Sequence, residues 1–114
     1  MSDGYFVTPK DAKQVKMAEG LYRRTMGTTD EAMLIEFFIE RGTTVSEHSH
    51  ENDQVGYIIF GQIEFTIGGQ VKILNPGDSY AVPGGVKHST HALVDSLEIS
   101  IFSPPRHDYR TEAR

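Results

Sequence analysis

Short runs of β-branched and aromatic residues recur along the chain, and glycine- or proline-bearing turns separate them roughly every 8–12 positions, a spacing that predicts strands rather than helices. Residues 21–26 and 32–40 read as two strands joined by the polar turn Gly27-Thr28-Thr29-Asp30. Residues 54–60, 62–67 and 70–74 read as a meander. Its second turn, Gly68-Gly69, suits a two-residue hairpin loop because both central residues can take positive φ. Further strands are predicted at 79–82, 88–94 and 97–103, around turns at Asn75-Pro76-Gly77-Asp78 and Pro83-Gly84-Gly85. One short helical turn is expected at Thr8-Pro9-Lys10-Asp11-Ala12, with Thr8 as cap and Pro9 at the first helical position. No sustained helical period follows it. About nine or ten strands in all imply an all-β fold, a small closed sandwich. The polar tail, residues 104–114, is expected to fray beyond Tyr109.

Composition narrows this picture. A chain of 114 residues is one domain at ~100–200 residues per domain. It lacks cysteine, which excludes disulfide frameworks, zinc ribbons and thiol nucleophiles. A net charge of −5 argues against nucleic-acid and anionic-membrane surfaces, which need clustered Lys and Arg. The longest apolar stretch, residues 32–39, is broken by Glu36 and falls short of the ~20 residues of a membrane span. The opening Met-Ser-Asp-Gly-Tyr-Phe has neither the basic start nor the apolar segment of a secretory signal, so a cytoplasmic location is expected.

The five histidines carry the candidate chemistry. His48 and His50 are two apart, so on an extended chain both imidazoles face the same way. Gln54 keeps that parity, and His88 arrives from a separate strand after a Pro-Gly turn. Three imidazoles and one oxygen donor converging on an interior suit one divalent transition metal such as Fe, Mn, Ni, Zn or Co. Glu51, Asp53 and Tyr57 have the opposite parity and are expected to face outward, as is His91. His107 lies in the tail and receives no role.

Glycines around the histidines complete two longer patterns. The first is Gly42-x5-His48-x-His50-x3-Gln54-x6-Gly61, and the second is Gly77-x5-Pro83-x-Gly85-x2-His88. In residue type, spacing and order they resemble the two signature motifs of the cupin superfamily. That resemblance implies a double-stranded β-helix, the jelly-roll barrel, with a metal inside. It makes residues 1–114 a single cupin domain with a barrel core at about 21–103. Two positions depart from the usual pattern, which has Glu where this chain has Gln54 and Asn where it has Ala92. A neutral amide leaves the ion's charge uncompensated, which sharpens its Lewis acidity and loosens its attachment.

Glu40-Arg41-Gly42, His48-Ser49-His50, Gln54-Val55-Gly56-Tyr57, the stretch 61–69 and Ile101-Phe102-Ser103-Pro104 further resemble one small cupin group. These are the pectin-degradation cupins, which linearise 4,5-unsaturated uronates. The likeness runs from about Leu21 to Tyr109. It implies a last strand carrying an Asp, then a Phe, then an Arg; Phe102 and Arg106 occupy the latter two positions and Ser100 the first. A serine hydroxyl cannot move protons at neutral pH without a partner base. Glu98 shares the parity of Ser100 and Phe102, so it is the acid–base candidate if buried, and a solvated rim residue if not. Arg106 is the candidate clamp for a substrate carboxylate.

The resulting expectation is a metal-dependent isomerase or tautomerase acting on a small sugar acid. Two alternatives stay open: a cupin dioxygenase on a small organic substrate, and a non-enzymatic cupin that binds a small carboxylate. The family also implies a homodimer. Leu97, Ile99 and Ile101 form an outward apolar stripe that needs covering.

Overall fold

The computed structural model describes residues 4–111. Residues 1–3 and 112–114 lie outside the described part, and with them fall the start of the expected leaderless N-terminus and the last residues of the tail. Ten strands and one short helix follow in chain order: β1 (Gln14–Ala18), β2 (Leu21–Thr28), β3 (Met33–Ile39), β4 (Thr44–His48), β5 (Asp53–Phe60), β6 (Ile63–Ile67), β7 (Gln70–Leu74), β8 (Ser79–Val82), β9 (His88–Ala92), β10 (Ser96–Ser103) and α1 (His107–Thr111). They form a six-stranded sheet, β1-β2-β3-β10-β5-β8, and a four-stranded sheet, β4-β9-β6-β7. All pairings are antiparallel, which gives the all-β sandwich expected from the strand pattern and the jelly roll that the cupin resemblance implies.

Strict alternation creates the two faces. In β3, Met33, Ile35, Phe37 and Ile39 are buried while the residues between them are half-exposed. In β5 the even-numbered Gln54, Gly56 and Ile58 point inward, and in β10 so do Ser96, Glu98, Ser100 and Phe102. The opposing sheet supplies Ile63, Phe65, Leu74 and Ala92 to the same core. The hairpin between β6 and β7 turns at Gly68 and Gly69, whose φ values of 55° and 82° belong to the left-handed region that side chains resist.

The segment at Thr8 is the single turn expected, with Thr8 O accepting from Asp11 N–H at 2.9 Å and Ala12 N–H at 3.2 Å. Two details differ from the sequence-based expectation. β1 and β4 were not predicted as separate strands. Both are edge strands of five residues with mixed polar sequence, so they bury too little to show a periodic signal. The tail, expected to fray beyond Tyr109, folds back as α1 and stays helical to Thr111, with the 9% exposed Tyr109 in the core against Phe37 and Phe102. Asn52 Nδ2 donates to Pro104 O at 2.7 Å, and Thr25 Oγ1 donates to Tyr109 O at 3.0 Å. These bonds replace the water that a polar tail would otherwise keep.

Candidate metal centre and cavity

β4 ends at His48 and β9 begins at His88, and the two residues face each other across the β4–β9 pair. His50 follows in the connection to β5, so it is held by a loop and not by a strand. That loop is fastened to the Pro83-Gly84-Gly85 turn, where Gly85 N–H donates to His50 O at 2.8 Å and Gly84 N–H to Asp53 Oδ1 at 2.8 Å. The rings of His48 and His88 lie 4.2 Å apart, and His50 lies 4.9 Å from His88. One nitrogen from each of the three falls within 4.8 Å of the others. Exposure rises across the group: His88 is buried, His50 half-buried and His48 exposed, so the cluster opens to solvent at one side.

Each imidazole is oriented through its Nδ1. His48 Nδ1 sits 2.7 Å from Ser46 O, His50 Nδ1 3.0 Å from Asn52 O, and His88 Nδ1 2.9 Å from Val86 O. A carbonyl oxygen only accepts, so Nδ1 bears a proton in each ring, and in a neutral ring Nε2 is then the lone pair. His88 Nε2 is buried without a hydrogen-bond partner. His50 Nε2 faces Gln54 Oε1 at 3.1 Å, one acceptor against another in the neutral ring. Orphaned, convergent lone pairs of this kind fit a cation, and backbone carbonyls on Nδ1 are the usual outer support of metal-binding histidines. Imidazole and amide donors suit a first-row divalent ion, and all four are neutral. Burial pushes the His88 imidazole below its ordinary pKa, with the neighbouring histidines and Arg106 acting in the same direction against the Val86 hydrogen bond. That keeps its lone pair available at neutral pH.

The cluster lines a cavity of about 80 Å³ together with Gln54, Glu98 and apolar side chains including Met17, Leu21 and Val45. Glu98, buried at 3% exposure, is not a rim residue. Its Oε1 accepts from Tyr80 Oη at 2.5 Å and from Ser100 Oγ at 2.7 Å. Its Oε2 has no hydrogen-bond partner among the described residues. Desolvation raises its carboxyl to about 7, against the opposing pull of the Tyr80 and Ser100 bonds. The same burial, with Glu98 beside it, pushes the Tyr80 phenol well above its ordinary value, so it remains a donor.

Phe102 lines the cavity and packs edge-on against His50, with ring centroids 5.6 Å apart. Arg106, immediately before α1, also lines it; its guanidinium lies 4.4 Å over the Tyr109 ring and 5.6 Å over Phe102, with Asp108 Oδ2 3.2 Å away. Ser100 does not reach the cavity. It is fully buried behind Gln54 and Glu98. Glu51, Asp53 and Tyr57 face outward, and His91 meets Thr44 Oγ1 at 2.7 Å away from the cluster. Sequence reasoning gave no role to Tyr80, although it touches Gln54, Glu98 and Ser100. Nothing along the chain marks it, because its partners lie on other strands.

The fold is a jelly roll in which three convergent histidines could hold a metal ion. Residues 35–103 match the cupin domain family, and the chain belongs to that family. It is 30% identical over 99 residues to the pectin degradation protein KdgF of Dickeya dadantii, which covers 82% of this chain and 87% of that protein. An RmlC-like cupin from Shewanella frigidimarina superposes with a TM-score of 0.90 at 28% identity, covering 94% of this chain and 96% of that one. KdgF from Halomonas sp. superposes with a TM-score of 0.85 at 31% identity, covering 94% and 98%. Among the described residues no helix is long and apolar enough to cross a membrane.

Proposed function

We propose that this cupin is a metal-dependent isomerase that opens the ring of a small unsaturated sugar acid, a 4,5-unsaturated uronate. The observation that carries this reading is Glu98, a buried carboxyl with one tethered oxygen and one free oxygen, lining the same cavity as the three histidines. Ring opening takes a proton from a hydroxyl and delivers one to carbon. A carboxyl near pKa 7 has both forms at hand at neutral pH. A divalent ion held by His48, His50, His88 and Gln54 supplies Lewis-acid polarisation of a substrate oxygen when bound. Arg106 pairs with the substrate carboxylate while Phe102 and Tyr109 hold its guanidinium from below. Ser100 serves Glu98 as a hydrogen-bond donor and is not itself the acid or base. Similarity to a pectin degradation protein supports a uronate as the sugar acid.

The test is a rate. Protein of known metal content is mixed with 4,5-unsaturated galacturonate, and loss of the ultraviolet band of the C=C bond is followed. The expected result is loss that disappears in chelator-stripped protein and in the His48→Ala/His88→Ala variant. An unchanged band with metal-loaded protein would overturn the reading. The apolar wall at Met17, Leu21 and Val45 favours, as a second reading, a dioxygenase on a less polar substrate, which oxygen uptake would reveal.

We also propose a homodimer formed through the outer face of the six-stranded sheet. Ala81, Val55 and Ile101 form one apolar row across three strands there, and Tyr57 and Ile99 pair across two of them in the next, beside Ser79. Val55 is 47% exposed, Tyr57 45% and Ile101 44%, an apolar patch that a second copy would cover.

A further inference from the structure

We infer that Tyr80 is a positioning residue for the proposed metal centre: with Ser100 it holds the Gln54 amide so that the oxygen, and not the nitrogen, faces the three imidazoles. This rests on the metal-binding reading above and adds to it a residue that never touches the ion.

The placement begins with a missing side chain. Tyr80, Gly56 and Ser100 form one row across β8, β5 and β10. A Cβ at position 56 would collide with the ring and hydroxyl of Tyr80, so glycine leaves the one path by which that ring can cross β5. Phe65 of the opposing sheet lies against the ring, with centroids 4.2 Å apart at 33°, and fixes it there. The hydroxyl is thereby delivered to the interior side of the third strand, where Glu98 and Ser100 wait.

Proton counting then sets the amide. The Tyr80 and Ser100 hydroxyls each own one proton; each lies against Glu98 Oε1, at 2.5 and 2.7 Å, and the two lie 2.8 Å apart, so both protons are spent on the carboxylate or between the hydroxyls. A proton on the free Oε2 leaves Oε1 an acceptor and the count unchanged. Both hydroxyls therefore turn only lone pairs toward Gln54. The Gln54 Nε2 has two protons and spends one on Tyr80 Oη at 3.0 Å and one on Ser100 Oγ at 3.2 Å. A flipped amide would press its carbonyl against two sets of lone pairs in a buried site and leave all of them unsatisfied. Gln54 Oε1 thus has one direction open, toward His50 Nε2.

The experiment uses Co²⁺ as the probe metal. Chelator-stripped protein is titrated with Co²⁺ against a competing chelator, and the visible d–d band of the loaded protein is recorded. Tyr80→Phe keeps the ring and loses the hydroxyl; it is expected to bind Co²⁺ about tenfold more weakly, with an altered band. Ser100→Ala is expected to weaken binding through the same amide, and serves if Tyr80→Phe does not fold. In a Gln54→Leu background neither substitution should add a further loss, because there is no amide left to orient. Unchanged affinity and band in Tyr80→Phe and Ser100→Ala, or losses that add fully to that of Gln54→Leu, would overturn the proposal. Failure of the unsubstituted chain to bind Co²⁺ would overturn the metal reading itself, an outcome visible before any variant is made.

Discussion

Glu98 is the residue whose chemistry departs furthest from its ordinary behaviour. Its carboxyl rises from 4.5 to about 7 on burial, so the folded chain holds a proton that the unfolded chain releases between those values. Stability contributed at this position is therefore present below pH 4.5 and is lost as pH rises through about 7. Glu98→Gln removes that loss. In chelator-stripped protein, the variant-minus-parent unfolding free energy should grow between pH 5 and pH 8, by at most about 3 kcal/mol. Urea melts at the two pH values measure it, and a flat difference would mean that the carboxyl is not shifted. Gly56 makes a second single-residue prediction. Gly56→Ala drives a methyl into the Tyr80 ring, and should lower the urea midpoint by an amount equivalent to about 1–3 kcal/mol without changing the slope.

α1 is five residues long; it carries a core anchor, and the cavity's cation, Arg106, immediately precedes it. Tyr109 packs between Phe37, Phe102 and the guanidinium of Arg23, which lies 4.5 Å over its ring. Tyr109→Ala should cost about 3 kcal/mol in denaturant melts, as large aromatic truncations in a core do. Arg106 lies over the same ring from the cavity side, but its side chain remains 21% exposed and its partner Asp108 is at the surface. Arg106→Ala should leave the urea midpoint nearly unchanged. In the uronate assay it should raise KM about tenfold or more, the cost of one charge-assisted pair to a carboxylate. An unchanged KM would remove Arg106 from the substrate site.

The two sheets bury one set of side chains between them and leave the outer face of β5, β8 and β10 apolar. If that face pairs two copies, sedimentation should give twice the monomer mass of 12.7 kDa. Ile101→Glu, an outward substitution remote from the cavity, should return it to the monomer while the histidine cluster keeps its Co²⁺ affinity. A monomer before substitution would mean that the exposed apolar rows stay in water.

The alternation of apolar and polar residues, the turn glycines and the histidine spacing are properties of the chain read in order. They determined the all-β class, the inward parity of Glu98, Ser100 and Phe102, and the grouping of His48, His50, Gln54 and His88, since strand periodicity and tight turns are local physics. The edge strands β1 and β4 were illegible because their short, mixed sequences bury little on either face. Local sequence also held no sign that the polar tail would dock, because the carbonyl at Pro104 is satisfied by Asn52, 52 positions away. Tyr80 reaches Glu98 across 18 positions and Gln54 across 26, and Ser100 reaches Gln54 across 46. Those contacts exist only once β8, β5 and β10 lie side by side. The protonation of Glu98 and the direction of the Gln54 amide follow from burial and from which strands become neighbours, and so only the tertiary structure decided them.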